Sequence, residues 1–133
     1  MNKTLLRIAG GITVFFGIFH VVFPQLFNWG EVLAPLSKAD RDIMYIFNYA
    51  TTAVIFGYAF ITLAYTESLT TTAIGRGVTG MLAAFWLWRV ILELIYVGFA
   101  VEALFVVVLC SIVVACYVIP LVSAIRRDRT SVT

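Results

Sequence analysis

The sequence predicts an all-α integral membrane protein, a single four-helix bundle with an interfacial segment between helices one and two. Three observations lead there. The chain has 133 residues, of which 62% are hydrophobic and only 12% charged, about half the charged share of an ordinary soluble domain. Its mean hydropathy is +1.03, so polar side chains cannot cover its surface in water and lipid is the solvent that suits it. Its apolar residues also gather into four stretches, each near the ~20 residues that a helix needs to cross hydrocarbon.

The first span runs from about Leu5 to Phe23 and ends at Pro24. Lys3 and Arg7 before an apolar core resemble the start of a signal peptide. No small-x-small cleavage site follows in Phe19-His20-Val21-Val22-Phe23-Pro24, so a retained helix is expected. The second span covers about 40–65, starting near Lys38 and running apolar from Ile43 to Tyr65. The third covers about Ala73 to Val97, with Gly98 marking the break, and the fourth about Val101 to Ile125, with Pro120 near its end.

Between the first two spans, Leu26, Phe27, Trp29, Val32, Leu33 and Leu36 make the segment 25–36 too apolar for a free loop and too short to cross. A segment lying in the outer interface is expected, with Trp29 in the aromatic belt. Ser37 with Asp40 at the third position reads as a capping box that opens the second helix. Thr70, Thr71 and Thr72 offer caps to the third.

The basic residues set the orientation. Lys3, Arg7, Arg76, Arg126, Arg127 and Arg129 fall on one side, whereas the other has Lys38 and Arg41 among Glu31, Asp40, Asp42 and Glu102. The positive-inside rule then puts both termini in the cytoplasm. A net charge of +2 concentrated at the ends gives no support to nucleic-acid binding. Cys110 and Cys116 are six residues apart, about 240° on an ideal helix, and read as small buried hydrophobes.

Against this apolar background, Arg89 and Glu93 stand out. They are four residues apart in the third span, share one helix face and can pair. An ionisable side chain at membrane depth is costly and points to a bundle interior or a wet cavity. At 1.5 Å per residue, His20 lies about 5 Å below Pro24, Asn48 roughly 8 Å below Ile43, and Glu93 and Arg89 about 7 and 13 Å from Gly98. Four polar side chains from three helices therefore share one outer layer. Arg41, Tyr45, Asn48 and Thr52 form a stripe of helix two, Trp86, Arg89, Glu93 and Tyr96 a stripe of helix three, and Gly10, Thr13, Gly17 and His20 a stripe of helix one. The expected ligand-binding set is Arg89, Glu93, His20, Asn48, Tyr45 and Trp86, with Trp86, Tyr45 and Tyr49 as walls.

That layer admits several readings. The pair could neutralise itself inside the bundle or at an oligomer seam, hold a ligand, or serve a proton path. A pocket for an amphipathic molecule such as a lipid, quinone or isoprenoid is favoured. An enzyme using His20 and Glu93 as acid and base is the alternative, weakened because Arg89 makes Glu93 a poor base. An accessory or assembly subunit of a membrane complex, or a homo-oligomer, is the third. No metal or cofactor is expected: one histidine with Glu93 gives too few ligands for zinc, and the haem-attachment motif is absent.

The run His20-x-x-Phe23-Pro24-x-x-Phe27-Asn28-Trp29, followed by Leu33, Leu36-Ser37 and Arg41-x-Ile43-Met44 through Asn48, resembles an uncharacterised family of small four-span bacterial membrane proteins. Phe85-Trp86-x-x-Arg89 adds to that likeness, which covers roughly Gly17 to Tyr96. The resemblance implies a four-helix protein of the bacterial inner membrane and carries no activity with it. In architecture alone the chain also resembles the DoxX-like group.

Overall fold

Each apolar run closes into a continuous helix, the state in which the backbone polar groups inside the run find partners without water. The computed structural model describes residues 2–98 and 101–130, apart from the side chains of Glu102, Arg129 and Thr130. The side chains of Glu102 and Arg129, both counted in reading the orientation, thus lie outside the described residues. Four long helices, α1 (Asn2–Leu26), α3 (Lys38–Ala64), α5 (Ala73–Tyr96) and α6 (Val101–Thr130), are accompanied by two single turns, α2 (Trp29–Val32) and α4 (Ser68–Thr71). All four long helices have a stretch long and apolar enough to cross a membrane.

The starts follow local chemistry. Ser37 caps α3, its Oγ accepting from the Asp40 N–H at 3.2 Å while its hydroxyl donates to Asp40 Oδ2 at 2.6 Å. Thr72 caps α5 by accepting from the Gly75 N–H at 2.9 Å. Two ends differ from expectation. α1 continues through Pro24 to Leu26, and α6 continues through Pro120 to Thr130. In each case proline removes one backbone donor without stopping the helix.

The segment after α1 turns on Asn28, whose φ of 46° is left-handed and whose side chain donates to Glu31 Oε2 at 2.6 Å. This turn folds Trp29 back onto Phe23 (ring centroids 5.6 Å) and Tyr45 (5.4 Å). Trp29 is therefore buried against the bundle. Arg41 Nη1 donates to the Ala34 carbonyl at 3.1 Å and ties the segment to α3.

Ion pairs Lys3–Glu67 (3.1 Å) and Arg76–Asp128 (2.8 Å) gather the N-terminus, α4 and both ends of the α5–α6 hairpin at one end. The interhelical segment 27–37 and the α5–α6 turn, where Gly98 has φ +77°, occupy the other. Around the bundle α3 packs on α1, α1 on α6 and α6 on α5. The α3–α5 side is looser and is bridged by Tyr58 and Phe85 at 4.9 Å. Across the middle, Phe16 of α1 meets Trp86 of α5 (5.1 Å), and the Thr62 hydroxyl of α3 meets the Tyr117 hydroxyl of α6 (2.6 Å).

Close approach of α1 to α3 depends on Gly17, where a Cβ would stand 2.7 Å from the Phe56 ring. Gly10 and Gly17, from the small-residue stripe read in the sequence, both sit in this seam. Lateral contact without bulk is what such residues provide between apolar helices.

Candidate functional site

Pro24 prepares the first part of the site. Having no N–H, it leaves the carbonyl four residues earlier, that of His20, without its helical donor. Asn48 of α3 supplies the replacement, its Nδ2 donating to the His20 carbonyl oxygen at 2.9 Å. That bond fixes the amide, so Oδ1 faces His20 Nδ1 at 3.1 Å. Because Oδ1 can only accept, the neutral imidazole carries its proton on Nδ1 and keeps an acceptor lone pair on Nε2. Asn48 is itself buried and lines neither of the two cavities described below. Its task in this geometry is to orient His20.

Arg89 and Glu93 form the ion pair read from their spacing, through Arg89 Nη1 and Glu93 Oε2. Their burial is unequal. The Glu93 side chain is 9% exposed and that of Arg89 37%, so the carboxylate is sunk between helices while the guanidinium reaches open space.

That space consists of two adjoining cavities. The smaller, of ≈ 70 Å³, lies among all four long helices and is lined by His20 from α1, Thr51 from α3, Trp86 and Arg89 from α5, and Val106 from α6, with phenylalanine rings around them. The larger is a groove of ≈ 580 Å³ between α1, α5 and α6, within the volume range of small-molecule sites. Arg89 lines both, as do Phe16, Phe19, Phe23 and Val106. Glu93 lines only the groove and His20 only the small cavity.

Phe15, Phe19 and Phe23 of α1, and Phe27 just past its end, line the groove at four-residue intervals. Phe19 meets Phe23 at 5.4 Å edge-on, and Phe23 meets Phe27 at 4.3 Å. Phe15 and Phe105, on opposite walls, are exposed at the molecular side. The groove is thus open laterally, where lipid tails would lie if the helices cross a bilayer.

One buried group has no partner. Trp86 is 2% exposed and lines the small cavity, yet its Nε1 has no hydrogen-bond partner among the described residues. A buried donor left unpaired costs about 1–3 kcal/mol, and Nε1 itself has essentially no accessible surface, so other atoms of the ring face the cavity.

Of the six side chains expected to form the site, the structure brings His20, Trp86 and Arg89 to one cavity, sets Glu93 on the adjoining groove and holds Asn48 behind His20. Tyr45 lies apart. It packs between Trp29 (5.4 Å) and Tyr49 (6.4 Å) and lines neither cavity, so the expected Tyr45 and Tyr49 walls are replaced by phenylalanines. Tyr96, on the same sequence stripe as Arg89, is 82% exposed. The missed lining residues had a signal, the four-residue repeat of phenylalanine in α1. For acid–base chemistry the arrangement is poor, because Glu93 is held by Arg89 and shares no cavity with His20. Cys110 and Cys116 are both free and buried and line neither cavity.

Comparison with protein-family models, with curated proteins and with solved structures finds no match to this chain.

Proposed function

We propose that the protein is a multi-pass protein of the bacterial inner membrane, with both termini cytoplasmic, that binds a small amphipathic lipid in its outer leaflet without acting on it chemically. The carrying observation is Arg89, whose half-buried guanidinium lines both a small cavity among the four long helices and an adjoining phenylalanine-lined groove open to the side. A polar head would sit beside Trp86, Arg89 and His20, and an apolar chain would lie along Phe15, Phe19, Phe23 and Phe27. Glu93 keeps Arg89 in place, and Asn48 keeps His20 turned. The membrane orientation is supported by Lys3, Arg7, Arg76, Arg126 and Arg127 on the end that carries the termini.

The test is organic extraction of the protein purified from its own membranes, followed by mass spectrometry of the extract. Wild type is expected to carry a lipid near one per chain, and Phe15→Glu, which puts a charge on the exposed wall of the groove, about a tenth of it, at an unchanged helix content. Equal lipid content in both proteins would defeat the proposal.

A further inference from the structure

Arg89 and Glu93 hold each other through one atom apiece, Nη1 and Oε2. Among the described residues neither side chain makes any other hydrogen bond. Trp86 Nε1 is the one side-chain nitrogen or oxygen of a non-exposed, described residue that is both sealed off and unpartnered. The Nε and Nη2 of Arg89 and the Oε1 of Glu93, equally unpartnered, therefore keep accessible surface. Of the two cavities only the groove is lined by both residues, so it is where one ligand can reach all three atoms.

Those atoms ask for opposite things. Nε–H and Nη2–H lie side by side on one edge of the guanidinium, a fork that fits two oxygens of an oxyanion. Oε1 can only accept, and its charge favours a cation. Every other residue lining the groove is a phenylalanine, a valine or an alanine, so the protein itself answers neither demand there.

The pair also sums to zero charge. A purely anionic head would fill the fork but set an uncompensated negative charge beside a carboxylate that is only 9% exposed. An amine would answer Oε1 and leave the fork bare, and an uncharged head brings a counter-charge to neither. A head carrying both charges pairs each with its opposite and leaves the total at zero. Glu93 is also one turn, ~6 Å, beyond Arg89 toward the Gly98 end of α5. A phosphate joined to an ammonium through two carbons spans a similar length.

We infer that the groove takes a zwitterionic lipid whose head joins a phosphate to an ammonium. Phosphate oxygens accept from Arg89 Nε–H and Nη2–H, the ammonium pairs with Glu93 Oε1, and the chain lies against the phenylalanine wall. This assignment rests on the amphiphile-binding reading given above and adds the charge pattern of the head.

Two-dimensional ¹H–¹⁵N spectra of the full chain in maltoside micelles test it, with the Arg89 Nε–H signal assigned by its loss in Arg89→Lys. Four probes with the same hexadecanoyl chain are titrated: lysophosphatidylethanolamine, lysophosphatidylcholine, lysophosphatidylglycerol and monohexadecanoylglycerol. The zwitterions should move the signal, and the tighter of the two assigns the ammonium as N–H-bearing or quaternary. The anionic and the uncharged probe should each bind about tenfold more weakly. In Glu93→Gln, with its helix content checked by circular dichroism, the anion should overtake the zwitterions because Arg89 is then unneutralised; the wild-type order decides alone if that variant does not fold. Anionic or uncharged probes binding wild type as tightly as the zwitterions would overturn the head assignment while the amphiphile site stands. An unchanged order in folded Glu93→Gln would do the same. An Arg89 signal moved by none of the four, whether water or a second copy of the chain fills the groove, would overturn both.

Discussion

Replacing Asn48 by alanine should destabilise the bundle by an amount that depends on Pro24, 24 residues earlier in the sequence on the neighbouring helix α1. Asn48 is 7% exposed and makes two bonds to His20, one to the ring at 3.1 Å and one to the carbonyl at 2.9 Å. Side-chain hydrogen bonds between membrane helices average about 0.6 kcal/mol and reach about 1.7 kcal/mol, because the unfolded chain in lipid finds substitute partners. The His20 carbonyl has no substitute inside α1, since residue 24 lacks an N–H. One bond of average and one of upper strength give a loss of about 2 kcal/mol for Asn48→Ala. In a Pro24→Ala background the restored N–H can take the carbonyl, so the same mutation should cost roughly 1 kcal/mol less. The assay is a double-mutant cycle read by reversible unfolding in mixed micelles with increasing dodecyl sulfate, followed by far-ultraviolet circular dichroism. Distant sites add to within about 0.3–0.5 kcal/mol. A cycle that closes within that margin would refute the claim that Asn48 replaces the donor that proline removed.

Further perturbations probe other parts of the structure by the same unfolding assay. Gly75→Ala should cost more than about 2 kcal/mol, because its Cβ would collide with the Ser68 backbone carbonyl, whereas Gly57→Ala meets nothing within 4 Å and should be neutral or stabilising by up to about 1 kcal/mol. Arg89→Leu should destabilise more than Glu93→Leu, since it strands the deeper charge, and the double replacement by leucine should recover most of the loss; equal single effects would contradict the burial asymmetry. Thr62→Val removes one of two hydroxyl partners of the fully buried Tyr117, the other being Thr13, an expected loss of about 1 kcal/mol, and Tyr117→Phe in that background should restore part of it.

The spans were legible because hydropathy and helix length are local properties, as was the Arg89–Glu93 pair, fixed by four-residue spacing within one helix. Gly10 and Gly17 were also readable as a seam, since small residues on one stripe imply a neighbour close by. Which neighbour occupies a stripe depends on the order of helices around the bundle, and periodicity does not contain that order. Tyr45 and Tyr96 show the consequence: both share a stripe with site residues, yet one turns to Trp29 and the other to the surface. The coupling of Pro24 to Asn48 was hidden for a different reason. It needs a carbonyl vacated on one helix and an amide delivered by another, and no residue spacing records that meeting. The lack of a partner for Trp86 Nε1 likewise exists only once the core is packed.

The most direct measurement is an electron cryomicroscopy or crystal structure of the protein kept in native lipid, at a resolution that separates side chains around α1, α5 and α6. The account predicts an elongated density in the groove along Phe19, Phe23 and Phe27, ending in a polar contact within hydrogen-bond distance of the Arg89 guanidinium. Discrete waters filling the small cavity beside an empty groove, or a helix of a second protein lying in the groove, would contradict it.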